Sequence, residues 1–445
     1  MKHFLIALFV IFSFTSHGQT QSKKELKRLF INGEFSLIYK EYKEALPSFV
    51  ALYDAGRRDA NIKHRIGLCY LNIPNQKEKS IIYLVDAAEN ITVDYNVGLY
   101  SERNAPIETY LYLGRAYRVT RRLEEAIDAF NKYKEYLKPE ENEKRKIADA
   151  EIIACKNALE LDKIPTSIIE SNLGRNINSK FNNVNPLVSE DEETIVFVSQ
   201  LRFYDGIFSS KKRDGRWLPA RNISLDFNSE NPLIPVYLTK DGNTLYLQSN
   251  DNDDFNIYTS KFIDGLWKVP EKLNSNINSS AAEMYACVSD DGKTLYFTSD
   301  RKGGFGGFDI YKSEIDVNGE WQEPENMGGT INTSFDETSP FITVDNKTFY
   351  FSSQGHFNIG GFDIFKSVKS GKGWAKPENL GFPFNTTDDD LFFFPLKNGE
   401  IAYYSKFKES GYGENDIYRI QIFERENIPE REKELNIQNE NTSDN

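Results

Sequence analysis

Ser289-Asp290-Asp291-Gly292-Lys293-Thr294-Leu295-Tyr296-Phe297-Thr298-Ser299-Asp300 is followed by Gly303-Gly304-Phe305-Gly306-Gly307-Phe308-Asp309-Ile310-Tyr311-Lys312-Ser313, and then by Gly319-Glu320-Trp321. Asp-Gly between two runs of β-branched and aromatic residues predicts a tight hairpin. The glycines after Asp300 predict a second turn, and Phe308 to Ile315 reads as a third strand. One such unit leaves apolar faces it cannot bury alone, so it needs neighbours of its own kind.

The neighbours are present. Trp217, Trp267, Trp321 and Trp374 recur at intervals of 50, 54 and 53 residues. A third-strand motif recurs as Asn256-Ile257-Tyr258, Asp309-Ile310-Tyr311, Asp363-Ile364-Phe365 and Asp416-Ile417-Tyr418, with Gly206-Ile207-Phe208 as a degenerate first copy. A third marker, Asn followed by Ser or Thr, stands at Asn178, Asn228, Asn278, Asn332 and Asn385. A period near fifty with three to four strands per unit is the signature of a β-propeller. Five Asn markers and five third-strand motifs against four tryptophans give five blades. The chain enters on a lone outer-strand piece within 166–175 and leaves after Asp416-Ile417-Tyr418, so the two ends are expected to complete one blade and close the ring. Closure removes an exposed sheet edge.

Upstream, from Ser22 to Leu161, the apolar period is helical and glycine is sparse. Tyr110, Leu113, Gly114, Tyr117, Ala126 and Phe130 are spaced so that Gly114 and Ala126 let two helices approach while Tyr117 and Phe130 fill the space beside them. This spacing resembles the tetratricopeptide helix-turn-helix, with Pro139 near its end. Ile66, Gly67, Tyr70, Ser80, Leu84 and Ala87 form a second copy with one extra residue in the turn, and Gly33, Ala45 and Phe49 a looser third. Glu141 to Leu161 reads as a capping helix, and Ala88 to Ile107 as a polar insert. The fold class expected is therefore α + β multidomain: a short α-helical solenoid over 22–162, joined through Asp162 to Pro165 to a five-bladed all-β propeller over 164–422. Residues 423–445, rich in Glu, Asn, Lys and Arg, read as a solvated, disordered tail.

The N-terminus reads as an export signal over residues 1–18: Lys2 supplies charge, Phe4 to Phe14 is apolar and too short to span a bilayer, and Ser16-His17-Gly18 offers small residues for cleavage. No later stretch is apolar enough to cross a membrane. Formal charge is −13, which argues against nucleic acid as a partner. Cys69, Cys155 and Cys287 are too few for a disulfide framework. A Cys69–Cys155 bridge is the alternative to buried free thiols. Only His64 and His356 follow the signal, which leaves little for histidine-based metal or acid–base chemistry.

The β units resemble the WD-like repeats of TolB-type periplasmic proteins through Ser-x-Asp-Gly-x-x-Leu-Tyr-Phe-x-Ser and Gly-Gly-x-Asp-Ile-Tyr. A tetratricopeptide region followed by such a propeller looks like exported envelope proteins of Bacteroidetes. Some of those serve type IX secretion, and many end in a peptidoglycan-binding OmpA-like domain. This chain shows no such domain after Phe423, so a peptidoglycan anchor is not carried over. The resemblance implies an exported protein, periplasmic or peripheral to the outer membrane, that binds protein partners.

Candidate chemistry is sparse. The Ser-Asp-Asp-Gly turn is similar to a sialidase Asp-box only on the surface, since the spacing differs. Asp309, Asp363 and Asp416 repeat at one position, which points to hydrogen bonds within the fold rather than to a site. Asp251, Asp253 and Asp254 concentrate oxygen ligands in one loop, a weak calcium candidate beside the reading as a solvated turn. The Gly303 to Gly307 stretch lacks the Gly-Lys-Ser/Thr of a phosphate loop, and no Gly-x-Ser-x-Gly elbow occurs. The expectation is a non-catalytic adaptor without cofactor. A propeller with a glycan or peptide at its central opening is the alternative, and a carboxylate-dependent hydrolase comes last.

Overall fold

A computed structural model describes residues 22–161, 166–251, 254–391 and 393–423. The expected signal segment, the Asp162–Pro165 joint, Asp253 and the tail from Glu424 lie outside the described residues. The chain divides into two compact units, 1–113 and 114–445.

Seven α-helices occur among the described residues: α1 Lys23–Ile38, α2 Tyr42–Asp54, α3 Ala60–Leu71, α4 Ser80–Ala88, α5 Glu108–Val119, α6 Leu123–Tyr136 and α7 Asn142–Leu161. Local chemistry sets the starts. Ser22 and Glu25 form a reciprocal capping box at α1, and the Asp59 carboxylate accepts from the Ile62 N–H at α3. Three helical hairpins share one close contact. A Cβ on Gly33 would stand 2.6 Å from the Phe49 ring, one on Gly67 2.6 Å from Leu84, and one on Gly114 2.4 Å from Phe130. Phe49, Leu84, Phe130 and Ala126 are fully buried, so glycine is required for each helix pair to approach. Tyr117 does not fill that core. It is half-buried under the Arg122 guanidinium, 4.4 Å from its ring centre. The 88–107 insert is pinned within the first unit by Arg57 and Asn61, which both donate to the Glu102 carbonyl.

The second unit holds five sheets arranged as propeller blades. Their inner strands are Asn182–Val188, Leu233–Leu238, Glu283–Val288, Glu337–Ile342 and Phe394–Leu396, each paired antiparallel to a second strand that pairs with a third. In the first four blades the outer strand is broken. A piece at the tryptophan pairs with the end of the third strand, and a second piece such as Glu325–Asn326 pairs further back. In blade three the first piece shrinks to a single bridge, Ile315 to Trp321. The fifth blade takes its outer strand from Ser167–Asn172, which pairs with Asp416–Phe423 in register from Tyr418↔Asn172 to Phe423↔Ser167. The chain therefore closes its own ring, and Phe423 belongs to the last strand rather than to the tail.

The inner strands explain their prolines. Pro186, Pro235, Pro340 and Pro395 sit in four of the five, where the strand faces the axis and needs no further ladder donor. Register slips at Val184/Leu187, Met284/Ala286 and Thr338/Phe341, and Asn185, Tyr285 and Ser339 take positive φ there. These bulges bend the strands around the axis. The axis itself is filled. The rings of Tyr237, Phe341 and Phe394 meet at centroid distances of 6.1, 6.1 and 4.8 Å, and the Tyr237 hydroxyl donates to the Val288 carbonyl. About 30 Å³ remains between them, room for a water and not for a sugar ring or a peptide.

Candidate functional site

The conspicuous polar residues of the repeat are spent on holding the blades. Asn332 accepts from the Ile310 N–H and donates to the Ile310 carbonyl, so one side chain closes both backbone groups of a third strand. Asn385 does the same at Ile364, Asn278 at Ile257, and Asn178 at Ile417 across the ring closure. Asn228 departs from the pattern. It stands in the left-handed region at φ 46°, and the Ser224 hydroxyl accepts from Ile207 instead.

In three blades the hydroxyl that follows the Asn bonds a carboxylate. Thr333 donates to Glu337 at the start of the next inner strand, Ser279 to Glu283, and Thr386 to Asp390. Asp309 accepts from the N–H groups of Phe305 and Gly306 and from the Asn326 side chain. Asp363 and Asp416 take the corresponding bonds from Asn379 and Asn172.

The Gly303 to Gly307 stretch makes the expected turn between the second and third strands, and it is also a passage for a neighbouring loop. Only Gly303 of that run has positive φ. A Cβ on Gly306 would stand 1.9 Å from the Phe335 carbonyl, one on Gly360 2.1 Å from the Asp388 carbonyl, and one on Gly413 2.3 Å from the Ser179 carbonyl. The loop entering each next inner strand runs directly over them. Nor is the Asp-Gly hairpin a two-residue turn. The second strand begins at Thr294, and the Ser289 hydroxyl accepts from the Thr294 N–H while donating to Asp291.

Of the calcium candidate, Asp253 lies outside the described residues. Asp251 is occupied by donors from Asn231, Asn256 and Tyr258, and Lys272 approaches to 3.5 Å. Among the described residues no cluster of three or more His, Cys, Asp or Glu is placed to hold a metal. All three cysteines are free and buried, and burial pushes the Cys69 and Cys155 thiols up to about 12. His64 is buried against Thr109, and its pKa falls to about 3, chiefly through burial. His356 bonds the Ile331 carbonyl, and burial lowers its pKa too.

What sequence reading missed is a cleft in the second unit, between α7 and blades three and four. Two cavities of about 350 and 400 Å³ flank Phe335 and share Ala150, Gln354 and Asn358. The helix is tied beside them. Asn157 donates to the Asn358 carbonyl at 2.8 Å, and Arg118 donates to the Thr387 carbonyl at 2.6 Å. Glu151 stands between Arg118 and Arg115 at 3.0 and 2.6 Å. Burial alone would raise its pKa, but the two guanidinium charges outweigh this and hold it down. The groove walls are apolar where α7 presents Ile147 and Ile153, 40 % and 54 % exposed. Lys146 lies 4.8 Å over the Phe335 ring.

Two carboxylates below the cleft have raised pKa values, an arrangement that often marks catalysis. Burial lifts Asp363 to about 7, and burial together with the Asp363 charge lifts Asp390. Neither lines these two cavities, and Asp363 is wholly buried beneath Gly360.

No protein-family model and no curated protein matches this chain. Among solved structures it is similar to TolB from Acinetobacter baumannii, at 18% identity over 55% of this chain and 56% of that one, with a TM-score of 0.38. A putative TolB from Agrobacterium tumefaciens is 15% identical over 56% of this chain and 78% of that one, at 0.34. The catalytic domain of a Coprinopsis cinerea GH62 α-L-arabinofuranosidase is 13% identical over 58% of this chain and 98% of that one, at 0.39. Likenesses this distant argue neither for a binding role nor for an activity. The five-bladed fold rests on the strand pairing itself. No described helix is long and apolar enough to cross a membrane.

Proposed function

We propose that this is a non-catalytic, exported adaptor that binds protein partners in the cell envelope, in the periplasm or at the periplasmic side of the outer membrane. The observation that carries the reading is the cleft along α7, an apolar-walled groove with Arg145 and Lys146 at one end. The carboxylates that line the groove are engaged: Glu151 by Arg115 and Arg118, Asp149 by Lys134, and Asp336 by the Phe308 N–H. We read the three helical hairpins as tetratricopeptide-type units, supported by the Gly33–Phe49, Gly67–Leu84 and Gly114–Phe130 contacts. The resemblance to TolB-type repeats and to secretion-associated envelope proteins favours an assembly role. The aromatic plug on the axis speaks against a glycan or peptide held at the central opening.

Affinity capture from an envelope fraction with the full chain tests the proposal. A discrete protein retained in stoichiometric amount is expected. Retention of cell-wall sugars with no protein would overturn it.

A further inference from the structure

The charges along the α7 cleft are unevenly paired. Arg115 and Arg118 share the single carboxylate of Glu151, and Asp149 pairs with Lys134. Arg145 donates only to the Leu137 carbonyl, and Lys146 rests on the Phe335 ring. Among the described residues neither of these two cations has a carboxylate partner. The groove beside them is walled by Ile153, Ala150 and Phe335. Gln354 is half-buried in both cavities, and its side-chain amide makes no hydrogen bond among the described residues. Free amide donors and acceptors beside an apolar wall suit a peptide backbone, whose N–H and C=O groups must be satisfied once they leave water.

We infer that this cleft binds an extended protein segment carrying an aromatic or branched aliphatic residue next to Asp or Glu. The apolar side chain packs between Ile153 and Phe335, the backbone bonds Gln354, and the carboxylate meets Lys146 and Arg145. The inference rests on the adaptor reading and adds the partner's chemistry to it. Its basis is charge complementarity: two unpaired cations at one end of an apolar groove exclude basic segments and favour acidic ones. A bound carboxylate beside Lys146 also strengthens as the segment displaces water from the Phe335 ring.

Selection of a displayed library of random twelve-residue peptides on the full chain tests this. Enriched peptides are expected to carry an apolar residue beside Asp or Glu. Their affinity should fall at least tenfold with Ala150→Trp, which fills the groove, and with Lys146→Glu. Lys146 is exposed, so its reversal leaves the fold intact and guards against a folding defect in the first variant. A basic consensus, peptides indifferent to both substitutions, or no enrichment at all would overturn the inference. Capture of an envelope protein that both variants retain would sink the cleft assignment while leaving the adaptor reading standing.

Discussion

Removing the carboxylate of Glu192 tests how the ring is locked. Glu192 sits in the first turn of blade one at φ 59°, with its side chain 8 % exposed. It receives the Arg419 Nε at 2.5 Å, the Tyr403 hydroxyl at 2.6 Å and the Lys397 ammonium at 3.1 Å, all from blade five. Burial alone would raise its pKa. The bonds from Arg419, Tyr403 and Lys397 outweigh that and hold the carboxyl at about 2, against an ordinary 4.5. At 1.36 kcal/mol per unit this corresponds to about 3 kcal/mol. Solvent screening of the half-exposed Lys397 reduces it to about 2 kcal/mol. Truncation also strands the buried Tyr403 hydroxyl, so Glu192→Ala should cost about 2–3 kcal/mol. In thermal unfolding followed by tryptophan fluorescence, that is a drop on the order of 4–10 °C. Because the folded pKa is depressed, the contribution is fully present above pH 4.5 and lost as pH falls toward 2. The wild type and Glu192→Gln should therefore converge across that window. A variant within about 0.5 kcal/mol of wild type at pH 7, or a gap that persists at pH 2, would refute the reasoning.

Other positions give sharper contrasts. Asn332→Ala strands the buried N–H and C=O of Ile310 and should cost about 2–3 kcal/mol in denaturant unfolding; Asn228→Ala, which holds no strand, should cost about 1 kcal/mol or less. Gly360→Ala puts a methyl against a backbone oxygen and should abolish or severely reduce the folded yield, whereas Gly373→Ala, with open space around it, should be nearly silent. Burial raises Glu337 to about 7 despite bonds from Thr333 and Ser353. A raised acid favours the folded state when protonated, so this group's contribution weakens as pH climbs from 4.5 to 7. Glu337→Gln should remove that slope, because the Thr333 and Ser353 hydroxyls can rotate to accept from the new amide. Stability measured from pH 4.5 to 8 reads the difference.

The ring was legible because its demands recur. A third strand needs both backbone groups of one residue closed, and Asn meets that need four times at the same spacing. A loop that crosses over another needs glycine beneath it, and Gly306, Gly360 and Gly413 repeat for that reason. Where a different residue does the same work, as Ser224 does for Asn228, the spacing alone misleads. The glycine run reads as a turn and does join the second strand to the third, but sequence does not also reveal the loop that passes over it. The cleft was invisible for a different cause. Ala150, Phe335 and Gln354 are ordinary residues, far apart in the chain, and only the packing of α7 on blades three and four makes a groove of them. The Arg115, Arg118 and Glu151 cluster left a faint trace, since two arginines three apart on one helix face an acid within an otherwise apolar stripe of α7.

The most direct test of the adaptor claim is photo-crosslinking in the native host, with a benzophenone side chain placed at Ile147 in the cleft and, separately, at the fully exposed Leu225. A discrete protein adduct from position 147 that is absent from position 225 is the predicted result. No adduct at 147, or the same adducts from both positions, would contradict the account.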